Sequence, residues 1–383
     1  MLRKSIVVIL FVMLFCSLVF GAEEVIKIGA NMSLTGPSSM WGISSLNALE
    51  MAAEKINQEG GVLGKKIEII AYDNRAFPPE AVIVNKRLID RDGVAAIIGL
   101  AQSGTFIAAR TTAEEGKTPQ IGTTPTNPFA TVTEDGEVFK YAFRVCFIDP
   151  FQGKIAANFV YRELGARTAS IVYDVGSDYS AWLAQYFIDN FTALGGEIIK
   201  KEAFRTGELD FRAILGKIKP TPVDILYIPT MQKEAGLIAK QARALGITAI
   251  MMGGDGVASP DLMVIGGEAT EGFYLTNIAD LADPALVDWV EEYREVYKKD
   301  PVLPNPVMSV DALYMVVDAI KRAGTTDGPA LAEAIENTKD LKVLTTDSLT
   351  MDPLTHNPLD KPAVINLVKD GKFVFVMSYK GEK

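Results

Sequence analysis

The chain alternates short apolar runs with longer amphipathic stretches. Residues 25–30 form a β-branched run that ends in a loop rich in Gly, Ser and Pro. A helical period follows, with Leu46, Leu49, Ala53 and Ile56 on one face and Asn47, Glu50, Glu54 and Asn57 on the other. Gly60-Gly61 ends it. Residues 66–72 predict a strand, 79–89 a helix, 94–99 a buried strand, 105–115 a helix and 118–122 a short strand. The pattern restarts near Asp149, with a helix at 151–164, a strand at 169–173 and a helix at 181–194 that turns Leu183, Phe187, Phe191 and Leu194 inward. Strands at 197–203, 224–228 and 249–252 alternate with a helix at 211–217 and another carrying Ala235, Ile238, Ala242 and Leu245 on one face. Alternation on this length scale predicts parallel sheets covered on both faces. Its repetition predicts two similar α/β lobes.

The remainder reads as more helical. Leu286, Val290, Tyr293 and Tyr297 mark one helix, Val310, Leu313, Val317 and Ile320 another, and residues 329–336 a third. Strand-like runs at 363–368 and 373–377 flank Asp370-Gly371, a hairpin signal. No low-complexity linker separates the two series, so short crossings would leave a hinge.

Composition sharpens this picture mainly by exclusion. A length of 383 residues exceeds what one core holds, about 250–300 residues. Lys+Arg is 38 against 48 for Asp+Glu, the opposite of the basic excess that tracks phosphates, so nucleic acid is not an expected partner. One histidine, His356, and two cysteines disfavour His-dependent triads and multi-histidine or Cys-rich metal sites. Neither a cofactor nor a metal is expected.

The first residues read as an export signal occupying 1–21. Arg3 and Lys4 precede an apolar run from Ile6 to Phe20, and Val19 and Gly21 suit cleavage after Gly21. An uncleaved anchor is the alternative, but the run is short for a span of about 20 residues. Cys16 could be read as a lipidated cysteine, although Met13 and Phe15 are poor neighbours for that. If Cys16 leaves with the signal, Cys146 stands alone and cannot close an internal disulfide. Lying between Val145 and Phe147, it reads as a small core residue.

No dinucleotide, P-loop, zincin or nucleophile-elbow signature is present. The positive signal is positional, because open α/β sheets bind ligands beyond the carboxyl ends of their strands. Those loops carry Ser33, Thr35 and Trp41, then Gln102 and Ser103, then Thr124 and Thr126. In the second series they carry Asp178 and Tyr179, then Thr230, Met231 and Gln232, then Asp255. Ser103 opens a helix, where its hydroxyl and the following amides can hold a carboxylate. Asp255, the only acid of its loop, can pair with an ammonium. Trp41 and Tyr179 would supply apolar walls. A zwitterion with a modest apolar side chain satisfies this set. Taken singly, Ser103 and Thr126 could equally be caps of helices and turns.

In these residues the sequence resembles the leucine/isoleucine/valine-binding proteins, the type I periplasmic solute-binding proteins of ABC importers. The likeness spans nearly all of the chain after the signal. It is carried by Ser33-Leu-Thr-Gly-Pro with Trp41, Ile56-Asn-Gln-Glu-Gly-Gly-Val-Leu-Gly64, Tyr72-Asp-Asn, Ile98-Gly99 before Ser103, Thr126-Asn-Pro128, Phe143-Arg144 with Asp149 and Gln152-Gly153, Tyr179, Gln241-Ala-Arg243 and Gly254-Asp-Gly256. The resemblance implies the type I fold, two similar doubly wound lobes joined by a three-crossing hinge. The implied lobes are discontinuous, 22–147 with 279–345 and 148–278 with 346–383. It also implies a non-enzymatic, periplasmic, monomeric receptor that closes on a neutral aliphatic amino acid and delivers it to a membrane permease. Ser103 and Thr126 would bind the α-carboxylate with backbone help near Thr124. Asp255, assisted by Tyr179, would bind the ammonium, and Gly256 follows it. Asp149 would lie near hinge and cleft. Asp255 stands where a glutamate is common, Trp41 where a tyrosine is, and Met231 where an aromatic often is. These departures put strict branched-chain preference in doubt. Two rival readings stand beside this one. A same-fold receptor for an amide, urea or aromatic acid would leave Asp255 without a cation. An exported α/β hydrolase would lack an imidazole at the strand ends, since His356 lies near the tail.

Overall fold

The computed structural model describes residues 25–302, 304–359 and 361–379. The export-signal reading, its cleavage point and Cys16 lie outside the described residues. The first sheet contains β1 (Val25–Met32), β2 (Lys66–Asp73), β3 (Ala96–Gly99), β4 (Gln120–Gly122) and β5 (Ala142–Arg144) in the order β2-β1-β3-β4-β5, all parallel. The second contains β6 (Thr168–Asp174), β7 (Glu197–Phe204), β8 (Ile225–Tyr227), β9 (Ile250–Gly253) and β10 (Tyr274–Asn277) in the equivalent parallel order β7-β6-β8-β9-β10. Beyond β10 this sheet adds antiparallel β11 (Ala363–Lys369) and β12 (Lys372–Tyr379). The two equivalent strand orders are the doubled α/β pattern expected from the sequence. Asp370 and Gly371, both at positive φ, make the turn between β11 and β12, as that dipeptide predicts.

Two strands escape the sequence pattern. β5 (Ala-Phe-Arg) and β10 (Tyr-Leu-Thr-Asn) carry polar residues where the equally short β3, β8 and β9 are apolar, and each is held by pairing with neighbouring strands. Two helices also end sooner than the periodicity suggests. Helix α1 (Ser39–Gln58) buries Leu49, Ala53 and Ile56 as expected. Helix α2 (Pro78–Lys86) then passes into a π-helical turn at Arg87–Asp92, and α4 (Asp149–Asn158) into another at Phe159–Glu163. Apolar periodicity reads straight through such a turn, because the wider coil keeps the same face inward.

Helices pack on both sheets. α1 lies against α9 (Val287–Tyr297) and α10 (Asn305–Ala323), and α10 also touches β3. α3 (Ser103–Gly116) packs against α2. On the second sheet α4 packs against α5 (Asp178–Ala193), whose Leu183, Phe187 and Phe191 are fully buried. α7 (Gln232–Ala244) buries Ala235, Ile238 and Ala242. α10 is buried on nearly every face because α1, α11 (Gly328–Glu336) and β3 surround it.

The chain passes between the sheets three times: from β5 to α4, from β10 to α9, and from α11 to β11. The third passage is held by a buried ion pair. Lys361 Nζ lies 3.0 Å from Asp311 of α10, and Thr345 bonds to both. At the second, Asn366 of β11 joins Asn277 to Asp280. No helix among the described residues is long and apolar enough to cross a membrane.

Candidate ligand-binding cleft

The carboxyl ends of both sheets face one another, and the strand-end loops meet between them. β9 ends at Gly253, and the chain turns sharply through Gly254 to place Asp255 in a short 3-10 turn. Gly254 permits this because a Cβ there would stand 2.3 Å from Gln152 Oε1 and 2.4 Å from Tyr179 Oη. Asp255 Oδ1 receives hydrogen bonds from Gln152 Nε2 at 2.8 Å and Tyr179 Oη at 3.0 Å. The Gly256 N–H donates to Tyr179 Oη at 3.0 Å, which fixes the phenol's remaining acceptor. Gln152 Oε1 in turn accepts from the Asp255 N–H and from Thr276 Oγ1. Tyr179 is therefore a polar member of the cluster as well as a wall.

Burial pushes the Asp255 carboxyl up to about 6, although Gln152 and Tyr179 pull it back. Asp149, the first residue of α4, is fully buried, and neither carboxylate oxygen has a hydrogen-bond partner among the described residues. Its backbone N–H donates to Thr126 C=O at 2.8 Å. Burial and then the Asp255 charge raise the Asp149 carboxyl well above the carboxylate range, while the Thr126 hydroxyl and the Arg144 guanidinium oppose the rise. Thr126 Oγ1 is likewise buried, and apart from its approach to the Asp149 carboxyl it makes no hydrogen bond. Weakly paired groups of this kind are costly in a dry interior, so the cleft presents polar atoms to a ligand with complementary groups.

On the first sheet's side, Ser103 begins α3, and its hydroxyl accepts the Asn127 N–H at 3.2 Å. It does not cap its own helix. Thr124 turns its hydroxyl away, donating to Ala101 C=O and Asn305 Oδ1, so its backbone is what remains for a ligand. Asp73 receives N–H bonds from Leu34, Thr35 and Arg75 and thereby folds the loop after β1. Trp41 borders a small cavity whose lining includes Met32, Ser33, Leu100, Gln102 and Asn305. Its indole N–H reaches across to Ala258 C=O at 3.1 Å, so the side chain expected as an apolar wall also makes a polar contact. Met231 is half-buried against the larger core cluster, just before α7.

Two contributors were named from the sequence only among the segments that carry the resemblance, without a role at the site. Gln152 sits three residues after Asp149, hence on the same face of α4. Arg144 is fully buried, with Nη1 donating to Pro125 C=O at 2.6 Å and Asn127 C=O at 2.7 Å. Its Nη2 donates to Pro128 C=O and Thr131 Oγ1, each at 2.9 Å. It thus shapes the loop bearing Thr126, and desolvation lowers its pKa to about 10. His356 stacks on Phe143 and bonds Ala142 C=O through Nδ1, in the packing around β5. Cys146 is fully buried, and burial raises its thiol to about 12. No group of three or more metal-ligating side chains occurs among the described residues.

Comparison with known proteins agrees with this architecture. Residues 25–372 match the periplasmic binding protein family. A leucine-binding protein from Thermotoga maritima is 35% identical, with 92% of this chain and 98% of that one covered at a TM-score of 0.84. A branched-chain amino acid transporter substrate-binding protein from Streptococcus pneumoniae, solved with isoleucine, is 29% identical, with 93% and 100% covered at a TM-score of 0.86. The leucine-, isoleucine-, valine-, threonine- and alanine-binding protein of Pseudomonas aeruginosa is 28% identical over 319 residues, 82% of this chain and 83% of that protein. The chain belongs to the periplasmic binding protein family.

Proposed function

Starting from that membership, we propose that this protein is the exported, periplasmic receptor of an ABC importer for a neutral, branched-chain or other aliphatic amino acid. The observation that carries the reading is the buried Asp255 carboxyl, held by Gln152 and Tyr179, with Tyr179 brought toward the Ser103–Thr126 side by the Asn127–Asp178 bond. Such an acid suits an ammonium, and the hydroxyls and amides facing it suit a carboxylate. Relatives named for leucine, isoleucine and valine binding support the choice of ligand.

In this reading the lobes comprise 22–147 with 279–345 and 148–278 with 346–383. A ligand joined to both lobes favours the closed form, because only that form makes both sets of contacts. A membrane permease would then take the ligand from the closed monomer. Asp149 lies beside Thr126 and feels the Asp255 charge, and Trp41 with Met231 would border the ligand's side chain. The chemistry is binding without turnover.

A thermal-shift screen of the purified protein against the twenty amino acids, with benzoate and urea as further arms, tests the proposal. Ligands raise apparent stability according to concentration over Kd. Leucine, isoleucine or valine should give the largest shifts, and Asp255→Ala should weaken binding by about 2–5 kcal/mol in calorimetry. A response to benzoate or urea alone would overturn the amino-acid assignment.

A further inference from the structure

The two lobes are joined across the cleft by hydrogen bonds between protein groups. The Trp41 indole donates to Ala258 C=O at 3.1 Å, the Gln232 amide to Pro37 C=O at 2.8 Å, and the Asn127 amide to Asp178 C=O at 3.1 Å. Phe129 and Trp182 add an edge-to-face ring contact with centroids 5.0 Å apart. Each acceptor is a backbone carbonyl, and each donor is buried, Trp41 5%, Gln232 2% and Asn127 1% exposed.

These pairs bracket the candidate site. Asn127 follows Thr126, and Asp178 precedes Tyr179, so their bond brings those two site residues to opposite faces of the same gap. Ala258 lies three residues past Asp255, at the end of its 3-10 turn, so the Trp41 bond sets the indole beside that turn. Gln232 commits its amide N–H to Pro37, and its Oε1 has no hydrogen-bond partner among the described residues. Opening the cleft must break these bonds whatever the cleft contains.

We propose that Trp41 and Gln232 are latch residues, whose hydrogen bonds to the opposite lobe hold the closed form and set the rate at which a bound ligand leaves. Release requires these bonds to break, so loss of a latch bond speeds dissociation, and in the ligand-free protein it shifts the population toward the open form. One neutral hydrogen bond corresponds to a change of about fivefold. The statement about ligand release rests on the amino-acid receptor reading. The statement about the closed form does not.

The test uses Trp41→Phe, which keeps an aromatic wall and removes the N–H, and Gln232→Ala, which removes a donor outside the Asp255 cluster. In stopped-flow measurements with L-leucine, each variant should release ligand about fivefold faster, with an association rate no lower than the parent's. By small-angle scattering, the ligand-free double variant should show a larger radius of gyration than the parent. A Trp41 acting only as an apolar wall would leave Trp41→Phe with the parental release rate, and that result overturns the latch. Circular dichroism checks folding, and if Trp41→Phe does not fold, Gln232→Ala decides the matter by the same readouts. If leucine does not bind, the amino-acid reading falls, and scattering still decides the latch: an unchanged radius in the double variant overturns it.

Discussion

At the scale of single residues, the cleft's chemistry is that of acids removed from water. Asp255 titrates near 6 because burial penalises its charge. The ammonium-paired form needs the carboxylate, so affinity should be flat above about pH 7 and fall as pH drops through about 6. Calorimetry with L-leucine from pH 5 to 8 checks this, and Asp255→Asn should bind weakly with that dependence gone. The sign for stability is the reverse. A raised carboxyl pKa means the folded protein binds more protons than the unfolded chain between about pH 4 and 6, so this residue's contribution to ligand-free stability improves as pH falls through that window. Arg144 shows a different use of charge. Its guanidinium serves three carbonyls and a hydroxyl around Thr126, so Arg144→Met should leave several buried acceptors unpaired. A loss on the order of 3 kcal/mol in urea unfolding is expected.

At the scale of elements, strand ends and helix starts are what position the site. Asp255 sits one turn past β9, Ser103 starts α3, Asp149 starts α4, and Tyr179 is the second residue of α5. The approach of β9's end to α4 and α5 is close enough that only glycine fits at 254. Gly254→Ala should displace Gln152 and Tyr179 from Asp255, weakening leucine binding at least tenfold. The far-UV circular dichroism should remain parental, because the clash falls on side chains of the cleft. The alternation that builds these elements was visible as periodicity in the chain. β5 and β10 were not visible, since their polar residues break the apolar run that marks the equally short β3, β8 and β9, and their stability comes from partners elsewhere in the sequence. The role of Gln152 was hidden for a related reason, although the residue itself belongs to a segment quoted from the sequence. An amide has no chemistry of its own to announce, and its role exists only because the β9 turn comes to α4.

For the whole molecule, the three passages between the sheets are where the two halves of the chain are tied together. The buried Asp311–Lys361 pair ties the third passage to α10. Lys361→Met would leave Asp311 buried without its cation, with only Thr345 bonded to it, at an expected loss of about 3–5 kcal/mol in denaturant unfolding. Replacing both residues with apolar ones of similar size should recover most of that loss, because neither charge is then stranded.

By itself the sequence determined two α/β series, the loops that carry hydroxyls and acids, and the near-absence of imidazole and thiol chemistry. These follow from local propensity, hydrophobic period and composition, which act on neighbours along the chain. Only the tertiary structure decided that Gln152 and Tyr179 share one oxygen of Asp255, that Asp149 and Thr126 are buried side by side, and that Trp41 and Gln232 bond the opposite lobe. The residues Trp41 and Ala258 are 217 positions apart. Their contact depends on how two sheets face one another, and no period or spacing along a chain encodes that distance.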